Sequence, residues 1–161
     1  MTATSKYFED FELGDKYESR ATTLTEEHFL SFAEITGDAH PIHYDDTYAK
    51  KSRFGKRVTH GLLVAAMGAM GASTLSPLVE ESMVAFIDQS SRFLKPVLIG
   101  DTIKPEFVVS ELIPKRDVGV LRLETRITNQ HGEIVLEGRH AYLLKKRPTA
   151  QAIARGTRTK G

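Results

Sequence analysis

Hydrophobic positions along this chain change their spacing twice, and each change marks a new kind of element. Between Thr25 and Gly37 the apolar residues Phe29, Phe32 and Ala33 recur at helical intervals, behind a capping threonine and two first-turn acids, Glu26 and Glu27. This predicts a helix that Gly37 stops in a left-handed conformation. From Gly61 to Val79 no charged residue occurs. Gly68, Gly71, Ser73, Thr74, Ser76 and Pro77 interrupt that stretch, so it falls short of the roughly 20 apolar residues a spanning helix needs. It predicts a long helix, apolar on all faces and enclosed by a sheet, in a protein with no membrane partner.

After Glu81 the period falls to two. Residues 84–87 are apolar and continue through Ser91, Arg92, Phe93 and Leu94 to Lys95-Pro96, and Gly100-Asp101 turns the chain into a strand over 102–112. Pro105 predicts an edge or a bulge near the start of that strand. Residues 120–127 alternate, with Leu121, Leu123 and Ile127 on one face and Arg122, Glu124 and Arg126 on the other. Gln130-His131-Gly132 predicts a hairpin into an antiparallel strand over 134–144. With residues 16–23 as a first strand, the chain carries about five. The order is strand, helix, irregular connection, buried helix, then antiparallel strands. That is an α+β arrangement in which a curved antiparallel sheet wraps around a long central helix.

Length and composition narrow the setting. The chain has 161 residues, which suits one domain over 1–146, followed by a basic tail over 147–161. Cysteine is absent, which excludes a disulfide framework, a thiolate nucleophile and thiolate-bound metal, and suits the cytoplasm. The first ten residues hold no apolar run of signal-peptide length, so export is disfavoured. The net charge of +1 conceals six cations and no acid over residues 145–161, which leaves the rest of the chain at −5. Such tails are usually solvated, and nucleic acid is not expected as a partner.

The candidate chemistry lies in Gly37-Asp38-Ala39-His40-Pro41-Ile42-His43 and, seventeen residues after His43, in His60-Gly61. Asp38 sits just past a helix end, and Pro41 forces His40 into an extended conformation, so Asp38 and His43 share a short, stiff connection. An acid, an imidazole and a glycine amide together can hold a water, move a proton and stabilise an oxyanion. Taken singly, Asp38 reads as a turn former, His43 as a half-buried ring and Gly61 as a small packing residue. His40-x-x-His43 with Asp45 and Asp46 also suits a metal, but Pro41 holds the segment out of helical geometry and no third ligand is evident. No phosphate-cradling glycine loop or Gly-x-Ser-x-Gly elbow occurs, which disfavours nucleotide hydrolysis and serine esterase chemistry.

Gly37, Asp38, Pro41, Ile42, His43, Asp45, Tyr48, Ala49, Phe54, Gly55, His60 and Gly61 occur in the order of a family motif. Phe93-Leu94-Lys95-Pro96-Val97 and Gly100-Asp101-Thr102 follow in theirs. Over roughly residues 8–145 the chain resembles the MaoC-like dehydratases, which include the (R)-specific enoyl-CoA hydratases and have the hot-dog fold. The resemblance implies a carbon–oxygen lyase of fatty acid metabolism that needs no cofactor. Asp38 and His43 would grip the catalytic water, and the Gly61 amide would bind the thioester carbonyl. It further places His40, Tyr44, Phe54, His60 and Leu62 at the substrate, an acyl-CoA or acyl-carrier-protein thioester, in a homodimer. The chain departs from the pattern twice: His40 stands where the family usually has asparagine, and Ala69 where some hydratases carry a serine. Two other readings are a hot-dog thioesterase, which would not need the Asp38 and His43 pair, and a non-catalytic acyl-thioester-binding subunit, which would tolerate its loss.

Overall fold

Alternation in the long strands separates a wet face from a buried one, and the whole structure is arranged on that division. The computed structural model describes residues 5–148. Its strands are β1 (Lys16–Glu18), β2 (Thr22–Thr23), β3 (Met83–Phe93), β4 (Thr102–Pro114), β5 (Val118–Asn129) and β6 (Ile134–Lys145). They form one antiparallel sheet in the order β1-β4-β5-β6-β3, with β2 also on β4. On β5, Leu121, Leu123, Thr125 and Ile127 are buried, while Arg122, Glu124 and Arg126 face outward. Four helices lie between β2 and β3: α1 (Glu26–Thr36), α2 (Pro41–Tyr44), α3 (Asp46–Lys51) and α4 (Gly61–Met67). Leu63 and Val64 of α4 pack with Leu24, Phe29, Ile103, Ile127 and Leu136, so α4 sits on the inner face of the sheet. Among the described residues, no helix is long and apolar enough to cross a membrane.

Three features differ from the expectations. The first strand is two pieces, because Pro105 of β4 faces the gap between them. Its carbonyl accepts from the Ser19 N–H at 3.0 Å, and in an antiparallel ladder the missing proline N–H would point the same way. The bulge on β4 falls later, between Val109 and Glu111. The helix expected over 61–79 is a seven-residue α4 followed by 3-10 turns at Met70–Ala72 and Ser76–Leu78. Gly68 ends the α-helix with its N–H on the Ala65 carbonyl at 3.0 Å, and Ser73 donates to the Met70 carbonyl at 2.6 Å. Nor is α4 buried on every side, since Leu62 is 71% exposed. Beyond Pro148 the basic tail lies outside the described residues. Arg147 itself donates its backbone N–H to Glu9 at 3.0 Å and pairs its guanidinium with Asp10.

At Gly138 of β6, an added Cβ would lie 2.0 Å from the Ser90 carbonyl oxygen of β3. A backbone atom cannot swing aside, so Gly138→Ala should lower unfolding stability by about 1–3 kcal/mol. Gly71→Ala, with no atom within 4 Å of its Cβ position, should change it by less than about 0.5 kcal/mol. Urea titration of both variants checks the contrast.

Candidate active site

The loop that carries Asp38 and His43 is shaped by two stops and a start. Gly37 ends α1 at φ 75°, its N–H on the Ala33 carbonyl at 2.7 Å. Asp38 follows with its N–H on Thr36 Oγ1 at 3.2 Å, and its carboxylate accepts from the His40 N–H at 3.3 Å. His40 is extended, at φ −60° and ψ 131°, as the following proline requires. Pro41, however, opens a helical turn, because its fixed φ suits the first helical position and its missing N–H is not needed there. His40 Nδ1 caps that turn by accepting from the Ile42 N–H at 3.2 Å, which is the hydrogen bond an asparagine side chain would make at this position.

A second segment comes in from the side. The Arg57 carbonyl accepts from the Ile99 N–H at 3.0 Å, the Thr59 N–H donates to the Val97 carbonyl at 2.7 Å, and the Val58 N–H donates to the Ile42 carbonyl at 3.3 Å. Arg57 is buried, and its guanidinium grips Glu26 through two bonds of 2.9 and 2.8 Å and Asp46 at 3.1 Å. The Val58 carbonyl lies 2.6 Å from His43 Nδ1. A carbonyl only accepts, so Nδ1 carries the proton and Nε2 of neutral His43 is left with a bare lone pair.

His43 and His60 stack, with ring centroids 3.7 Å apart and planes 26° from parallel. A carboxylate oxygen of Asp38 and a ring nitrogen of each histidine lie within 4.8 Å of one another. One water making two hydrogen bonds of about 2.8 Å bridges about 4.6 Å, so Asp38 and His43 lie within reach of a shared water. The same three groups were not evident as a metal set in the sequence, where His40 with Asp45 and Asp46 drew attention. They suit a metal poorly, because stacked imidazoles aim their in-plane lone pairs side by side and not at a common point.

Two residues expected at the substrate spend their polar atoms inside the protein. His60 is only 3% exposed, packs against Phe29 and Phe32, and places Nε2 2.8 Å from the Tyr44 hydroxyl. Burial, and then the neighbouring His43, hold the His60 pKa below its ordinary value, against a smaller opposing effect of Asp38. Burial and then Asp38 raise the Tyr44 pKa. His40 is exposed, edge-on to His43 and Tyr48.

Gly61 directly follows His60 and opens α4, and among the described residues its N–H has no hydrogen-bond partner. It lies in a groove of ≈ 320 Å³ with Phe54, Val58, Val64 and Phe93. A Cβ on Gly61 would meet the Phe93 ring at 3.2 Å. Leu62 lines a different groove, of ≈ 450 Å³, with Ala66, Ala69, Phe86, His140 and Tyr142. The structure thus brings together Asp38, His43 and His60, sets Gly61 and Phe54 in the adjoining groove, and turns Leu62 away. Sequence reasoning missed Arg57 and the Val58 carbonyl. The first carried no signal beyond being one more arginine in a basic stretch, and the second is a backbone atom with no signature at all.

A family model described as MaoC like domain matches residues 10–131. The chain is 33% identical over 148 residues to the 3-hydroxybutyryl-CoA dehydratase of Methylorubrum extorquens, spanning 92% of this chain and 90% of that one. It is 30% identical over 141 residues to the (R)-specific enoyl-CoA hydratase of Rhodospirillum rubrum, spanning 88% and 93%. Among solved structures, the monoamine oxidase regulatory protein from Archaeoglobus fulgius matches at a TM-score of 0.84 and 35% identity, over 92% of this chain and 99% of that one. The antiparallel sheet over its helix is the α+β hot-dog fold.

His60 and His140 are both buried, and burial lowers the pKa of each. An unfolded chain takes up protons at these histidines near pH 6.5, while the folded chain refuses them until lower pH. Their neutral burial therefore does not weaken the fold above about pH 6.5 and progressively destabilises it below. The urea midpoint should fall between pH 7.5 and 5.5, and fall less in His140→Gln; an unchanged wild-type midpoint would contradict neutral burial.

Proposed function

Because the chain belongs to the MaoC-like domain family, we propose that it adds water reversibly to a trans-2-enoyl thioester, giving the 3-hydroxyacyl thioester. Family and curated relatives place it among the hydratases and dehydratases, which are carbon–oxygen lyases. The observation that carries the finer reading is the proximity of Asp38 and His43, within reach of one water, with His43 Nδ1 held on Val58 so that Nε2 is left as the acceptor.

His43 Nε2 accepts one hydrogen of that water and the Asp38 carboxylate the other, which aims an oxygen lone pair at C3. As the oxygen bonds to C3, its proton passes to Nε2 and the double-bond electrons move onto the thioester oxygen. The free Gly61 N–H receives that oxygen as it gains charge. The imidazolium then returns a proton to C2, the enolate collapses to the thioester, and His43 is neutral again. Asp38 stays ionised and offsets the transient imidazolium. Dehydration is the same path reversed. Phe54 and Phe93 supply apolar walls beside Gly61, and a coenzyme A thioester is the form that the names of both curated relatives favour.

The chain works as a homodimer in this reading. β3 is an edge strand of eleven residues. It and its flank expose Val84, Phe86, Ile87, Phe93 and Leu94, each between 43% and 54%. A long apolar edge is an aggregation hazard unless a second copy covers it.

Wild type should consume the conjugated enoyl absorbance of crotonyl-CoA, and Asp38→Asn and His43→Gln should each lower kcat by roughly 10²–10⁴-fold while remaining folded. Release of free thiol with the double bond intact would replace this reading with thioester hydrolysis. In sedimentation velocity the protein should run at twice its 17.9 kDa chain mass, and Ile87→Lys should shift it towards the monomer.

A further inference from the structure

The Tyr44 oxygen has three polar neighbours: the Asp38 carbonyl at 2.9 Å, the Phe29 carbonyl at 3.1 Å and His60 Nε2 at 2.8 Å. It has one proton to give. Were His60 Nε2 bare, three acceptors would face that one proton and the proton on buried Nδ1 would have no acceptor among the described residues, so the phenol proton goes to a carbonyl and the phenol lone pair meets an N–H on His60 Nε2. That fixes His60 as the Nε2–H tautomer with a bare Nδ1. Among the described residues, that Nδ1 is buried and has no hydrogen-bond partner. A second proton on His60 would sit where, among the described residues, nothing accepts it.

We propose that Tyr44 and His60 are positioning residues for the hydration reaction, Tyr44 locking His60 as a neutral single tautomer on which His43 stacks to keep Nε2 turned towards Asp38. This rests on the hydratase reading above. Two imidazoles 3.7 Å apart cannot both carry charge at small cost. With His60 excluded from protonation, the proton of the reaction has one place to go, which is His43. The groups facing His60 fit this division. α1 contributes the apolar rings Phe29 and Phe32, α2 contributes His43 and Tyr44, and Asp38 is the one acid. Burial acts in the same direction, lowering the proton affinity of His60. The same phenol also anchors the Asp38 backbone, so a single oxygen ties the carboxylate-bearing residue to the imidazole pair. His43 and Tyr44 are neighbours on one helical turn, and both grip His60.

Tyr44→Phe removes the oxygen and keeps the ring. It should lower kcat about tenfold with KM changed less than twofold. The independent readout is the ¹⁵N spectrum of the histidine rings between pH 5.5 and 8. In wild type, His60 should show a protonated Nε2 and an unprotonated Nδ1 throughout, and in Tyr44→Phe its two nitrogens should average between tautomers. A charged His60 at neutral pH, a proton on Nδ1, or wild-type kcat in Tyr44→Phe would overturn the proposal. If wild type hydrates no enoyl thioester, the hydratase reading fails by itself, while the ring spectra still report whether Tyr44 sets the tautomer.

Discussion

A buried guanidinium holds the two halves of the site in register. Arg57 reaches Glu26 at the start of α1 and Asp46 at the start of α3, and its own backbone is paired with the 97–99 segment. A desolvated cation cannot relax into another arrangement without losing its partners. The consequence reaches the chemistry through one peptide: Arg57 fixes Val58, and the Val58 carbonyl fixes the tautomer of His43. Asp38 is placed from the other side, by the left-handed Gly37 at the end of the helix that Glu26 begins. The starts of α1 and α3 and the 57–59 segment are therefore referred to one charge.

Much of the architecture was legible because periodicity and capping are local. Thr25 and Gly37 bound α1 where their chemistry says they should, and the alternation on β5 sorted Leu121, Leu123 and Ile127 from Arg122, Glu124 and Arg126 correctly. The failures were of a different kind. The run without charge from Gly61 to Val79 predicts one helix. Hydrophobicity does not distinguish a helix from a chain of tight turns, and Gly68, Gly71 and Pro77 decided for turns after the seventh residue. Pro105 predicts an edge or a bulge near the start of β4, whereas it faces a gap that its own missing N–H leaves in the neighbouring strand.

At the site, Asp38 and His43 stood out because five residues and a proline confine them. The stack of His43 on His60 did not, since it joins residues seventeen positions apart through a fold. The family resemblance places Tyr44 and His60 at the substrate, and their hydrogen bonds run inward. The substitution at His40 is the converse case. A histidine stands where asparagine is usual in the family, and its ring nitrogen supplies the cap that the amide would have supplied.

Gly61 connects this local geometry to assembly. A Cβ there would press on the Phe93 ring at 3.2 Å, so an aromatic from the sheet edge closes in on the residue whose amide is open. Phe93 is the last residue of β3 and is still 49% exposed. It belongs at once to the wall of the reaction groove and to the unpaired strand on which a second copy would sit. Covering that edge would remove water from the face of the groove where, in the proposed hydration, the enolate oxygen would gain charge, and a hydrogen bond from Gly61 is stronger in a drier surrounding. On this geometry the dimer would be part of the oxyanion site, and a monomeric variant would be expected to lose turnover even with Asp38 and His43 undisturbed.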